Sequence, residues 1–173
     1  QVNRIKSIGD LRSAGDAAKG ALVILESPSN PHLYLHDFEE LHALKNDLDL
    51  RIIADISLAG LCNIDFDFSQ YDCATFSVTK YVSGHNDIMG GVCLTSSGEI
   101  FNEFWNLRSE RGGIMDPFTT YLLLRSLRTY DMRMDKQLDN ANAIISYLQT
   151  KDNILKIYHP TLTDGQQQAI YHD

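Results

Sequence analysis

Cys73-Ala74-Thr75-Phe76-Ser77-Val78-Thr79-Lys80-Tyr81-Val82-Ser83-Gly84-His85 opens as a short apolar run and ends on hydroxyls, a lysine and a glycine-containing loop. The run Cys73 to Phe76 is continuous rather than alternating, which predicts a strand covered on both faces. Directly after it come an amine and two hydroxyls, on Lys80, Ser77 and Thr79. An amine condenses with an aldehyde and hydroxyls donate to a phosphate, so these parts suit a phosphorylated aldehyde.

Working outward, three more runs read as buried strands: Ala21 to Leu25, Arg51 to Ala54 and Gly91 to Leu94. Between the first two lies a helical pattern. Asp37 and Glu40 resemble a capping box, and Phe38, Leu41, Leu44 and Leu48 share one face. Strand, helix, strand implies a parallel unit, right-handed by default. The second crossover, Ser57 to Tyr71, reads as loop-rich. After Thr95, the Ser96-Ser97-Gly98 turn leads into a helix over about Glu99 to Ser109. Asp116-Pro117 then opens one long helical stretch, with Leu138, Ala141, Ile144, Ile145 and Leu148 as its stripe. The tail from Lys151 has little periodicity. The expected class is α/β: a mostly parallel sheet with helices on both faces.

The 173 residues suffice for one domain with a sizeable core. Net charge is −8 with no Lys/Arg block, which argues against nucleic acid or an anionic membrane as partner. No apolar run approaches the roughly 20 residues of a membrane span. The three cysteines, Cys62, Cys73 and Cys93, include no CxxC pair, which points to a reducing compartment such as the cytoplasm. Cys73 and Cys93 sit in apolar runs and read as buried, inert thiols. The Asp65-x-Asp67 pair lacks the glycine and distal glutamate of a calcium loop and reads as solvated, and no HExxH supports zinc.

Candidate functional residues converge on one edge. Asn30 follows the first strand, Asp55 ends the second and Ser77 ends the third. In open parallel sheets ligands bind beyond the carboxyl ends of the strands. An acid plus a lysine is the minimum for a pyridoxal 5′-phosphate (PLP) enzyme, since a carboxylate keeps a pyridine nitrogen protonated and an amine carries the aldehyde carbon.

Several strings carry a family resemblance. Glu26-Ser27-Pro28-Ser29-Asn30-Pro31 resembles E-[ST]-P-x-N-P, and Ser77 to Asp87 resembles S-x-T-K-Y-x-x-G-H-[SN]-D, with Gly90-Gly91 in register. Pro117 to Arg125 resembles P-x-x-A-Y-L-x-x-R-G, and Thr129 and Arg133 match a later T-x-x-x-R. The chain thus resembles the PLP enzymes of cysteine and methionine metabolism, among them cystathionine γ-synthases, cystathionine lyases and methionine γ-lyases. The resemblance implies a fold-type-I large domain and a PLP cofactor. It implies Lys80 as the residue that carries the cofactor and moves protons. It assigns Asp55 to the ring nitrogen, Ser77 and Thr79 to the phosphate, and Asn30 to the cofactor oxygen and substrate carboxylate. Ser57 stands where the family usually has threonine. Tyr81 and His85 are expected to pack around the lysine loop without acting as catalysts.

The pattern departs around the acid. Ala54-Asp55-Ile56-Ser57-Leu58 replaces the family's V-D-N-T-F, and Ser126 replaces a usual glycine. The family's ring-stacking tyrosine, its intersubunit phosphate contacts and its carboxylate-binding arginine have no counterpart here. The chain therefore reads as a fragment. Residues 1–150 would be the C-terminal part of the PLP-binding large domain, and 151–173 the start of a small domain. The implied activity is elimination or replacement at the γ (or β) carbon of a sulfur-containing or activated homoserine-type amino acid. His85-Asn86-Asp87 and Gly112-Gly113 lean toward cystathionine γ-synthase. Expected partners are the amino-acid substrate and either identical copies, as dimer or tetramer, or a complementary chain completing the site. The rival reading is a non-catalytic homologue acting as scaffold or regulatory partner. Retention of Lys80 and Asp55 argues against it.

Overall fold

A computed structural model describes residues 3–5, 7–64, 67, 70–163 and 165–172. Four strands form one sheet in the order β1 (Leu22–Glu26), β2 (Arg51–Asp55), β3 (Cys73–Ser77) and β4 (Gly91–Leu94). β1, β2 and β3 are parallel, and β4 runs antiparallel to β3. The sheet is mostly parallel, as its short continuous apolar runs predict. Register pairs Val23 with Ile52 and Ala54 with Ala74, so Val23, Ile52, Ala54, Ala74 and Phe76 share one face and are buried there.

Helix α1 (Ile8–Ala14) contributes Ile8 and Leu11 to this core, and α2 (Phe38–Leu48) contributes Leu41 and Leu44. Asp37 caps α2 by accepting the Glu40 N–H at 2.8 Å, and Asp49 closes it in the left-handed region. The N-terminal segment carries a cap that the hydrophobic pattern does not reveal. Ser7 and Asp10 exchange side-chain and backbone hydrogen bonds in a capping box.

The opposite face is less covered. Cys73 is buried, but Leu22 is 55% and Ile24 70% exposed. β1 is thus an exception to the expected burial on both faces. Cys93, expected to be buried, is also exposed on that face. The cause is the partner layer: an apolar run is compatible with burial but does not supply the element that covers it. The three cysteines are free thiols. Burial and the Asp131 carboxylate push the Cys62 thiol up to about 11.

Beyond β4 come α3 (Gly98–Arg111), capped by Ser97, and α4 (Pro117–Leu127), capped by Asp116 with Pro117 in its first turn. The expected single long stretch is two helices, because α5 (Tyr130–Gln149) starts anew after Arg128-Thr129. At the break, the Ser126 carbonyl accepts from Arg133 Nη2 at 3.1 Å. A side chain thus satisfies a carbonyl at the end of α4. In the tail, Gln167 on α6 (Gln166–His172) bonds both backbone groups of Leu35, at 2.7 and 2.9 Å. No helix among the described residues is long and apolar enough to cross a membrane. Asp65 of the acidic pair lies outside the described residues.

Candidate active site

The last residues of β1, β2 and β3 are Glu26, Asp55 and Ser77. Parallel pairing brings these ends together, with Glu26 opposite Asp55. Beyond them lies an open cleft of about 660 Å³. All six residues singled out from the sequence line it: Asn30, Asp55, Ser57, Ser77, Thr79 and Lys80. The volume falls in the range of small-molecule sites.

Each position follows from local chemistry. Asp55 is half-buried, and its Oδ1 accepts the Ser57 N–H at 2.9 Å, which turns the chain after β2. The Ser57 hydroxyl accepts the Ser77 N–H at 2.8 Å, linking the acid's loop to the end of β3. Ser57 therefore acts first as a bridge between strand ends, with its O–H left to donate. The Ser77 hydroxyl makes no hydrogen bond within the described residues. The Thr79 hydroxyl accepts the Gly90 N–H at 2.9 Å and donates to the Gly90 carbonyl at 3.3 Å. Thr79 is thus partly committed to the start of β4. Asn30 is exposed, and its backbone N–H donates to Glu26 Oε2 at 3.1 Å.

Lys80 sits in the single wide turn Val78–Val82, where its φ of −91° and ψ of −120° interrupt the helical path. Its side chain is exposed to the cleft and makes no ion pair or hydrogen bond among the described residues. The loop closes through Ser83 N–H to the Val78 carbonyl and Gly84 N–H to the Lys80 carbonyl, both at 3.0 Å. Tyr81, expected as packing, also lines the cleft. His85 stays exposed, with Nδ1 against the Ser83 carbonyl of its own loop.

Glu26 and Gln137 line the cleft without having been singled out for it. Glu26 is the last residue of an apolar run, so its position at the strand end was readable. Gln137 stands one turn after Arg133 on α5, and the i, i+4 rule could have placed it on the same face. Arg133 was visible only as a motif match. Two of its carbonyl partners, on Tyr81 and Val82, lie about 50 residues away.

The donor set fits PLP. An amine unengaged among the described residues, a carboxylate with Oδ2 outside the Ser57 turn, and two hydroxyls meet at one edge. A model of the Cys/Met metabolism PLP-dependent enzymes matches residues 4–173. The chain belongs to this family. Among relatives, the cystathionine gamma-synthase of Escherichia coli is 34% identical over 154 residues, covering 89% of this chain and 40% of that protein. The cystathionine beta-lyase of Schizosaccharomyces pombe is 36% identical over 158 residues, covering 87% of this chain and 39% of that protein. Among solved structures, a cystathionine gamma-lyase from Lactobacillus plantarum complexed with L-serine superposes with a TM-score of 0.84 at 27% identity. It covers 96% of this chain and 43% of that one. The chain thus spans about 40% of the length of the curated relatives it matches. The family expectation and the fold-type-I architecture both hold, and the relatives are PLP-dependent synthases and lyases of sulfur amino acids.

Proposed function

We propose that the protein catalyses PLP-dependent elimination or replacement at the γ (or β) carbon of a sulfur-containing or activated homoserine-type amino acid, in the manner of a cystathionine γ-synthase. The observation that carries this reading is the convergence of Asp55, Ser77, Thr79 and Lys80 on one cleft in a chain of this family. PLP, when bound, supplies an electron sink for negative charge developing beside the substrate's amino group.

The chain's own residues would then divide the work. Lys80 Nζ holds the cofactor's aldehyde carbon, and on release takes the proton from substrate Cα and returns it elsewhere. The Asp55 carboxylate holds a proton on the ring nitrogen. Ser77 Oγ and Thr79 Oγ1 donate to phosphate oxygens, Thr79 by turning its O–H away from the Gly90 carbonyl, and each such bond is worth about 1.5–3 kcal/mol of cofactor binding. Asn30 orients the substrate carboxylate. Ser57 keeps the acid's loop and the phosphate-binding strand end in register.

The proposal extends to assembly and place. Further polypeptide, either identical copies or a complementary chain, completes the substrate site. Residues 1–150 belong to the large domain and 151–173 begin a small one. The three free cysteines support a reducing compartment, the cytoplasm. The test supplies full-length protein and PLP with cystathionine, or with an activated homoserine ester plus cysteine. Keto acid from the first marks a lyase, and thioether from the second a synthase. Failure to form either product would refute the reading.

A further inference from the structure

The first turn of α5 touches both loops that carry the candidate acid and lysine. Tyr130 is 3% exposed, and its Oη accepts the Leu61 N–H at 2.9 Å. Burial holds its phenol above the ordinary pKa, so the group is a neutral hydroxyl. Gly60 makes room for it, since a Cβ there would lie 2.0 Å from Tyr130 Oη. Gly60 in turn donates its N–H to the carbonyl of Ile56, the neighbour of Asp55, at 2.8 Å.

Arg133 does the same for the other loop. Its Nη1 donates to the Tyr81 carbonyl and its Nη2 to the Val82 carbonyl, both at 2.8 Å. These are the two residues after Lys80. Gly84 makes room, since a Cβ there would lie 2.1 Å from Arg133 Nη1. Gly60 and Gly84 both hold positive φ, +71° and +68°, where glycine carries no steric penalty. The Arg133 guanidinium also lies 5.8 Å from the Tyr130 ring centroid, so the two side chains form one unit. Neither residue lines the cleft.

We propose that Tyr130 and Arg133 are positioning residues, a single helical turn that fixes the Asp55 loop against the Lys80 loop, with Gly60 and Gly84 as the matched gaps that admit them. A planar fork with five donors spans the Tyr81, Val82 and Ser126 carbonyls at once. A lysine ammonium at position 133 keeps the charge but loses that geometry. The inference rests on the reading of Asp55 and Lys80 given under the proposed function.

The experiment uses full-length protein, first free of PLP and then titrated with it, as wild type, Arg133→Lys and Tyr130→Phe. Tyr130→Phe keeps the buried ring and Arg133→Lys keeps the positive charge, so the variants are expected to fold. In the PLP-free state, amide hydrogen exchange should rise about tenfold over 78–85 for Arg133→Lys and over 57–62 for Tyr130→Phe. With PLP, both variants should bind the cofactor about tenfold more weakly, and the pH midpoint of the visible absorption band should move. A merely structural role would lower Tm and leave cofactor affinity and midpoint in place. Unchanged affinity and midpoint in both variants would overturn the proposal. If wild type takes up no PLP, the functional reading falls, and exchange in the PLP-free protein then decides this one. Loops no looser than in wild type would overturn it.

Discussion

Asp72 stands just before β3, and its Oδ2 accepts from Lys45 Nζ of α2 at 2.9 Å and from the Ile52 N–H of β2 at 2.7 Å. Its own carbonyl accepts from Thr95 Oγ1 at 2.6 Å. One residue therefore ties a helix and the two central strands at the end opposite the cleft. Replacing it as Asp72→Asn keeps the shape and one acceptor for Ile52 but removes the charge facing Lys45. The Lys45 and Asp72 side chains are only 20% and 24% exposed, so the pair is better shielded than a surface ion pair. The expected cost is about 1.5–3 kcal/mol at neutral pH, the worth of a hydrogen bond to a charged group. The pH dependence gives an independent check. Burial raises the Asp72 pKa, but the Lys45 and Ile52 hydrogen bonds outweigh it, and the net position is below the ordinary 3.8. A carboxyl lowered by folding stabilises fully above its unfolded pKa and loses that contribution as pH falls through its folded one. Urea midpoints for wild type and Asp72→Asn should therefore differ at pH 7 and converge in acid, as pH falls through the lowered pKa of folded Asp72. A gap that persists unchanged into acid, or no gap at neutral pH, would refute this account of the sheet's edge.

Other expectations follow from the strand ends. Ser57→Ala leaves the half-buried Ser77 N–H without its acceptor and should cost about 1–3 kcal/mol in chemical denaturation of the PLP-free protein. Ser77→Ala removes a hydroxyl with no hydrogen-bond partner among the described residues, so PLP-free stability should stay within about 0.5 kcal/mol while PLP affinity, read by visible absorbance, drops. Gly60→Ala combines a positive φ with a Cβ driven into Tyr130 Oη, and thermal unfolding should show a loss of at least about 2 kcal/mol.

The sheet and the cleft were legible because their signals are local. An apolar run names a strand, and the polar residues that end it name the sheet edge where ligands gather. Asp55, Ser77, Thr79 and Lys80 each sit within a few residues of such an ending. What escaped depends on distant partners. Beside the break between α4 and α5, Arg133 reaches the Ser126, Tyr81 and Val82 carbonyls, and no window of sequence around Thr129 records the last two. The exposure of Ile24 and Cys93 depends on what packs over the sheet, which the strands themselves do not encode. The short α1 is a different case. Its Ser7 and Asp10 capping box is local and readable, but seven residues give too few turns for an apolar stripe to stand out.

The central claim is that Lys80 Nζ is the atom to which the cofactor is covalently joined. Full-length protein loaded with PLP, reduced with borohydride and digested, should yield one pyridoxyl-modified peptide, with the added mass on Lys80. Unmodified Lys80 in that digest, or the added mass on another lysine, would contradict the account.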